Sequence, residues 1–188
     1  MKLKKETQPK GWRQFLPDLR FALKSGYPCR KSDEVLPRAA FFTFTAPFNL
    51  LVLTAIASSS LLLFGVLLTF LIPASYIPSA NSDYQNASLL AITSMMLVGA
   101  TFEELLFRGI IQNLLLLWLG NSWLAIGITT LAFVALHVHY FKKPVMLLNI
   151  TIPSLVFGWV YFQTNNIVVP IIVHFLLNIG ITLLFKYR

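Results

Sequence analysis

Residues 87–119 read ASLLAITSMMLVGATFEELLFRGIIQNLLLLWL, an apolar run that contains Glu103, Glu104 and Arg108. From residue 39 to residue 141 the chain carries just one other charged side chain. A single charge inside a membrane costs about 2.5 kcal/mol or more on insertion scales. Three charges grouped in one apolar run therefore indicate a functional site inside a membrane domain.

The rest of the chain beyond residue 38 has the same apolar character. Hydrophobic residues make up 56% of the protein and its mean hydropathy is +0.71, which is above the range of soluble domains. A helix needs about 20 residues to cross the hydrocarbon core. Besides the quoted run, the apolar segments are 44–72, 122–138, 145–162 and 167–185. We therefore predict an all-α fold, a polytopic transmembrane bundle of about five to six helices in residues 39–188.

Residues 1–38 form a basic N-terminal segment. Ten of the fifteen Lys and Arg residues lie here, against four acidic residues. Beside a membrane domain the positive-inside rule accounts for this charge, so we predict a cytoplasmic or interfacial segment and no nucleic-acid partner. The segment is too long for the n-region of a signal peptide, so we expect it to stay attached. Apolar residues recur between Trp12 and Leu23 at a spacing typical of a headgroup helix or of a packed cytoplasmic helix.

The charges of the loops predict how the helices cross the membrane. Lys142 and Lys143, like Lys186 near the end of the chain, should be cytoplasmic. The loops 73–86 and 163–166 contain no Lys or Arg and should face the other side. We therefore expect both termini on the cytoplasmic side.

The length of the segment 87–119 leaves two paths open. The segment is too long for one comfortable crossing, and Gly99 lies just before the charged cluster. If loop 73–86 and Gly120 both face outside, the segment must enter the membrane and return. This favours two short helices broken between Gly99 and Arg108, and six helices in all. One long tilted helix with five crossings is the alternative.

Helix geometry separates the two glutamates. Positions four apart share a helix face, whereas neighbours point about 100° apart. Glu104 and Arg108 can therefore form an ion pair that lowers the cost of burying both, and we interpret them as supporting residues. Glu103 is left without that partner and is suited to act as a general base. A structural salt-bridge cluster between helices is the competing interpretation.

Two of the three histidines lie in apolar segments. His137 ends one segment, and His174 lies inside another with Asn178 one turn further on the same face. A lone intramembrane histidine is often a hydrogen-bonded packing residue, but two of them with an asparagine and a glutamate pair favour a shared site. His139 lies beside Tyr140 at the helix end, and we expect it to be interfacial and to point away from His137.

Three short polar motifs stand in order on successive apolar segments: Glu103-Glu104-x-x-x-Arg108, Phe133-x-x-x-His137 and His174-x-x-x-Asn178. This arrangement resembles the CPBP family, the intramembrane CAAX proteases and bacteriocin-processing proteases also called the Abi family. Each motif alone is weak, whereas three in order with matching spacing are specific. The resemblance covers about residues 87–185, and the chain resembles the minimal bacterial form of the family.

The resemblance implies a role for each motif residue. Glu103 would work with His137 to activate a water for attack on a peptide carbonyl. His174 and Asn178 would stabilise the developing oxyanion, as preorganised donors do in other acyl-transfer enzymes. The ion pair of the first motif would hold the glutamate-bearing turn in place. The implied function is that of an intramembrane endopeptidase.

Metal dependence is a separate question, because family members are described both as metalloproteases and as metal-independent glutamate proteases. Glu103, His137 and His174 could form a three-ligand zinc site with one open position. They lie on different segments without a His-Glu-x-x-His spacing, and the single Cys29 excludes a cysteine metal site. Asn178 suits a neutral donor better than a ligand, so we predict a metal-free mechanism without a cofactor.

Two other classes of function fit part of the pattern. A transporter or proton relay would also place Glu, Arg and His inside the bilayer, but usually with inverted repeats and paired broken helices, which we do not find in this sequence. A non-catalytic membrane scaffold or immunity protein of the same fold is the second alternative.

The resemblance also implies partners and a location. The partners would be the lipid bilayer and a peptide or membrane-associated protein substrate. The family spans prenylated proteins, bacteriocin and pheromone precursors and membrane-protein partners, and analogy with the minimal bacterial form argues against a C-terminal prenyl motif. The expected location is the bacterial inner (plasma) membrane.

Overall fold

A computed structural model of the protein describes residues 47–71, 87–142 and 144–187, and the account below concerns these ranges. They belong to the second of the two units into which the chain divides, Arg38–Arg188. The predictions for the basic segment 1–38 and its boundary lie outside the described residues. So does the prediction for the side chain of His139, whose backbone alone is described.

The described residues form five helices and no β-strand, which confirms the prediction of a helical membrane bundle. Three of them are long and apolar enough to cross a membrane, and two apolar helices are shorter. The helices are α1 Pro47–Leu71, α2 Leu89–Leu119, α3 Ser122–Leu136, α4 Pro144–Thr164 and α5 Val168–Tyr187. The sequence segments had anticipated each of them to within a few residues.

Helix α2 is continuous, so the expected break between Gly99 and Arg108 is wrong and the five-helix alternative holds. It begins as an α-helix over Leu89–Glu104, widens to a π-helix over Leu105–Gln112 and continues as an α-helix to Leu119. A break inside hydrocarbon would leave backbone groups without partners, which costs several kcal/mol per group. Continuing the helix while pairing the charged side chains avoids that cost.

The ends of α2 follow from local sequence signals. The Ser88 side chain accepts a hydrogen bond from the amide of Ala91 at the start of the helix. Gly120 ends it in the left-handed region, at φ 63°, where glycine has no steric penalty. Asn121 then caps α3 by accepting from the amides of Trp123 and Leu124. The turn between α2 and α3 is therefore encoded by two residues.

The direction of the helices corrects the predicted sidedness of the start of α2. Lys186, near the end of α5, donates a hydrogen bond of 3.0 Å to the carbonyl of Ala87, just before α2. Ala87 therefore lies at the end of the bundle at which α5 finishes, whereas Asn165, between α4 and α5, lies at the end at which α5 begins. The expectation that the chain enters α2 on the side opposite Lys186 is wrong, and loop 73–86 itself lies outside the described residues.

This error has the same origin as the predicted break. The break was predicted because loop 73–86 and Gly120 were both expected outside, whereas a continuous α2 separates Ala87 from Gly120 by the length of the helix. Helix α3 has 15 residues, fewer than the roughly 20 that a full crossing needs. The cytoplasmic location of both termini stays a prediction.

An apolar core joins α1, α4 and α5. It contains buried side chains from each helix: Ala57, Leu61, Phe157, Val160, Val169, Val173 and Leu177. Two glycines allow α1 and α5 to approach closely, because a Cβ on Gly65 would lie 2.8 Å from Ile181 and a Cβ on Gly180 would lie 2.5 Å from Leu62. Small residues at helix contacts are typical of membrane proteins, where van der Waals packing drives association.

Polar contacts join α2 to α4 instead. Arg108 bonds Ser154, and the Gln112 side-chain amide donates to the carbonyl of Gly158 at 3.0 Å. Both pairs are separated by 46 positions, so the two helices run parallel and in register over this stretch. Helix α2 thus places the fully buried Arg108 against α4, and the residues of the candidate site surround this arginine.

Candidate active site

Glu104 and Arg108 form a fully buried ion pair. The Arg108 Nη1 lies 3.1 Å from the Glu104 Oε1, and neither side chain is exposed. The four-residue spacing had predicted this contact, and the structure contains it. Because a buried charge is costly without a partner, the pair accounts for how α2 carries both groups through the bundle.

Arg108 is also held by groups from two other helices. Its Nη2 donates to both the carbonyl oxygen and the Oγ of Ser154, each at 2.7 Å. Its guanidinium carbon lies 5.4 Å from the ring centroids of Phe133 and of Phe157, so the cation is placed between two aromatic rings. Helices α3 and α4 thus fix the position of the arginine.

His174 lies between the two glutamates. Its Nδ1 is 2.8 Å from the Glu104 Oε1, and its Nε2 is 3.8 Å from the Glu103 Oε2. The imidazole stacks on Phe157 with ring centroids 4.7 Å apart. The sequence did not reveal the contact between His174 and Glu104, because the two residues are separated by 70 positions and no local pattern links them.

The two glutamates have different surroundings. The Glu104 side chain is completely buried, whereas 34% of the Glu103 side chain is exposed. In this arrangement Glu104 is a structural acceptor for Arg108 and His174. Glu103 is the more exposed of the two carboxylates, and it lies beside His174.

The hydrogen bond at Nδ1 determines what His174 can do chemically. Because the Glu104 carboxylate accepts it, Nδ1 carries the proton. The Nε2 of a neutral imidazole is then an acceptor, and only a protonated imidazole can donate through Nε2. A role for His174 as an oxyanion donor therefore requires the protonated form.

His137 ends α3, which returns beside the second half of α2. Phe107 of α2 and Phe133 of α3 pack edge to face at 4.9 Å, and His137 follows Phe133 by one turn. The Nδ1 of His137 lies 2.8 Å from the carbonyl oxygen of Phe133, and the side chain is half-buried. Its cooperation with Glu103 across a water stays a prediction.

Asn178 follows His174 by one turn of α5, and its side chain is half-buried. The two residues share a helix face, as their spacing predicts. The role of Asn178 as an oxyanion donor stays a prediction.

Glu103, His137 and His174, the possible zinc ligands, do not form a three-ligand cluster among the described residues. Within the described ranges, no group of three or more His, Cys, Asp or Glu side chains is placed to hold a metal ion. Glu103 and His174 are close together, but His137 does not complete a ligand set with them. The metal-free mechanism stays a prediction.

The fold and the site together define the class of protein: an integral membrane protein with an ionisable site inside its helical bundle. Comparison with known proteins gives the family. The model of the family described as "Type II CAAX prenyl endopeptidase Rce1-like" matches residues 85–180, and the chain belongs to this Rce1-like family. This confirms the resemblance to intramembrane CAAX proteases, and the matched range contains all seven motif residues.

One curated relative has no assigned function. It is the "Uncharacterized protein YpbD" of Bacillus subtilis (strain 168), which is 32% identical over 95 residues. The alignment covers 50% of this chain and 46% of the relative, so the chain spans about half the length of that protein. No solved structure matches the chain.

Proposed function

We propose that this protein is an intramembrane endopeptidase that hydrolyses a peptide bond in a membrane-associated protein or peptide precursor. The observation that supports the proposal is the difference in exposure between Glu103 and Glu104 at the centre of α2. A half-exposed carboxylate, Glu103, lies 3.8 Å from a histidine that the buried Glu104 holds in one orientation. Membership of the Rce1-like family supports peptide-bond hydrolysis as the reaction.

In the proposed reaction Glu103, assisted by His137, takes a proton from a water that attacks the scissile carbonyl carbon. The carbonyl oxygen becomes an oxyanion, which accepts hydrogen bonds from His174 Nε2–H and the Asn178 amide. Collapse of the tetrahedral intermediate breaks the C–N bond, and the proton held by Glu103 passes to the leaving amine. The protonated His174 and Arg108 then balance the charges of the two glutamates.

One distance supports a second assignment of roles within the same reaction. His174 Nε2 lies near Glu103, so a neutral His174 could assist Glu103 in accepting the proton, in the place assigned to His137. The oxyanion would then be stabilised by Asn178 and His137. The two assignments differ in which histidine must be protonated to donate to the oxyanion.

The test is cleavage by purified full-length protein in liposomes, with products identified by mass spectrometry. Alanine at Glu103, His137 or His174 should each abolish cleavage, because these side chains act as a unit. Thr101→Ala is the matched control, because Thr101 lies two residues before Glu103. Its hydroxyl donates to the carbonyl of Leu97 in the same helix. Cleavage that persists unchanged in Glu103→Ala would refute the role of Glu103, whereas no cleavage by the wild-type protein would favour the non-catalytic scaffold.

The substrate class requires its own experiment. Peptide termini are mapped in membranes with the wild-type protein and with Glu103→Ala, and sites that depend on Glu103 identify the target. Prenylated and unprenylated forms of one CAAX peptide are then compared with purified protein. We expect no preference for the prenylated form, and a strong preference would assign the protein to prenyl-CAAX processing.

A further inference from the structure

We infer that Ser154 of α4 is a positioning residue for the imidazole of His174, acting through Arg108 and Glu104. Three hydrogen bonds form one continuous path. Ser154 accepts from Arg108 at 2.7 Å, Arg108 donates to Glu104 at 3.1 Å, and Glu104 accepts from His174 at 2.8 Å. The inference rests on the proposed function for its kinetic consequence, whereas the path itself can be tested without activity.

Ser154 fixes the guanidinium more firmly than a single hydrogen bond would. Its Oγ and its carbonyl oxygen both accept from the same Nη2 of Arg108. Its hydroxyl proton is directed to the Thr130 Oγ1, at 3.4 Å on α3. Ser154 is completely buried, so these contacts are not exchanged with water. The serine thereby ties the arginine to α4 and, more weakly, to α3.

The position of Arg108 decides where Glu104 holds its shared oxygen. Glu104 Oε1 accepts from both Arg108 and His174, while Glu104 Oε2 is buried without a hydrogen-bond partner. A guanidinium that lost its anchor on α4 could turn toward this second oxygen. The carboxylate would then rotate, and the direction of His174 Nε2 would change with it.

Ser154 cannot contact a substrate, because it is enclosed by α2, α3 and α4. Its effect should therefore appear in kcat and not in KM. A misplacement of a catalytic group by about 1 Å can cost about 10²-fold in rate, and Ser154→Ala removes one of two serine contacts. We expect kcat to fall by about tenfold to a hundredfold, with KM unchanged.

The kinetic test compares three variants of the full-length protein in liposomes. Ser154→Ala removes the hydroxyl, and Ser154→Thr retains it and should recover most of the lost kcat. Thr151→Ala is the matched control on α4, because the Thr151 hydroxyl bonds its own helix at Leu147. Its kcat should equal that of the wild type.

A spectroscopic readout separates this inference from the proposed function. The protein has three histidines, so selective ¹⁵N-histidine labelling gives three imidazole signals, and a His174→Asn variant identifies that of His174. In the wild type the Nδ1 proton should be protected by its bond to Glu104. Ser154→Ala should shift the His174 signal and leave that of His137 in place, while Thr151→Ala should leave both.

The outcomes are distinguishable. An unchanged His174 signal in Ser154→Ala would overturn the inference, whatever the protein cleaves. A shifted signal in a protein that cleaves no peptide would uphold the path and refute the proposed function. A fall in kcat with an equal loss in Thr151→Ala would mean a general effect of polar groups in α4, and would overturn the specific role of Ser154.

Discussion

The two sides of α2 hold their charged side chains in different surroundings, although Glu103 and Glu104 are adjacent in the chain. On the buried side, Glu104, Arg108 and Gln112 follow one another at four-residue intervals and contact α4 and α5. On the other side, Glu103 keeps 34% of its side chain exposed. Adjacent positions of a helix point about 100° apart, so one glutamate is buried and the other is partly exposed although both lie near His174.

The comparison shows how a membrane helix can carry a reactive carboxylate. The cost of burying charge is met on the inner side, where every charged group has a partner of opposite charge. A π-helix runs over Leu105–Gln112 in this part of α2, and such segments are frequent at functional sites. The outer side is then free to hold Glu103 without an arginine partner. The inner row is therefore paired and buried, and Glu103 is the carboxylate to which we assign the chemistry.

The first prediction tests whether the two glutamates have different roles, by replacing each in turn with glutamine. Glu103→Gln should lower the cleavage rate by about 10²–10⁴-fold, the usual contribution of a general base, while the melting temperature stays near that of the wild type. Glu104→Gln should lower the melting temperature, because Arg108 loses its buried counter-charge. If Glu103→Gln cleaves normally and Glu104→Gln is inactive but stable, the two roles are exchanged.

The second prediction concerns the stability of the inner row. Arg108→Ala should lower the free energy of unfolding by about 3–5 kcal/mol, because it leaves a buried carboxylate unpaired. Denaturant unfolding in detergent measures this loss. The double variant Glu104→Gln, Arg108→Met should recover most of it, since removing both charges of a buried pair is often nearly neutral. A double variant as unstable as Arg108→Ala would show that packing, and not charge, dominates.

A smaller effect is expected at the oxyanion position. Asn178→Ala should reduce kcat by about 10²–10³-fold and leave detectable cleavage, as the loss of one oxyanion donor does in other enzymes. Its half-buried side chain predicts little change in stability. A progress curve over long incubation measures the residual rate. Wild-type activity in this variant would remove Asn178 from the site.

The last prediction is that removing metal ions does not change the cleavage rate. A strong chelator should leave the rate unchanged if Glu103 acts as a base without zinc, whereas excess zinc should inhibit by binding the same side chains. Rates are measured after dialysis against chelator and again after zinc is added. Inactivation by chelator and recovery with zinc would overturn the metal-free mechanism and make Glu103, His137 and His174 ligands.

Local features of the sequence predicted most of the helices and one ionic contact. Apolar length located the five helices, and Gly120 with Asn121 marked the turn after α2. The pairing of Glu104 with Arg108 followed from their spacing alone. These features were predictable because helix periodicity and capping act over a few residues.

The path of α2 was predicted less well. Loop charges and the glycine before the charged cluster favoured a break, yet the helix continues. Loop charge reports which side of a membrane a segment prefers, but it does not report whether a helix can satisfy its charged side chains internally. That depends on partners from other helices, which the order of residues does not reveal.

The sequence by itself determined a five-segment helical membrane protein with a paired Glu104 and Arg108, because each of these features is encoded within a few turns of one helix. Tertiary structure alone decided that His174 bonds Glu104 and that Ser154 anchors Arg108, across 70 and 46 positions. Such contacts depend on how helices pack, and packing follows from the combined shape and polarity of several helices at once. The same packing leaves Glu103 accessible beside an oriented histidine.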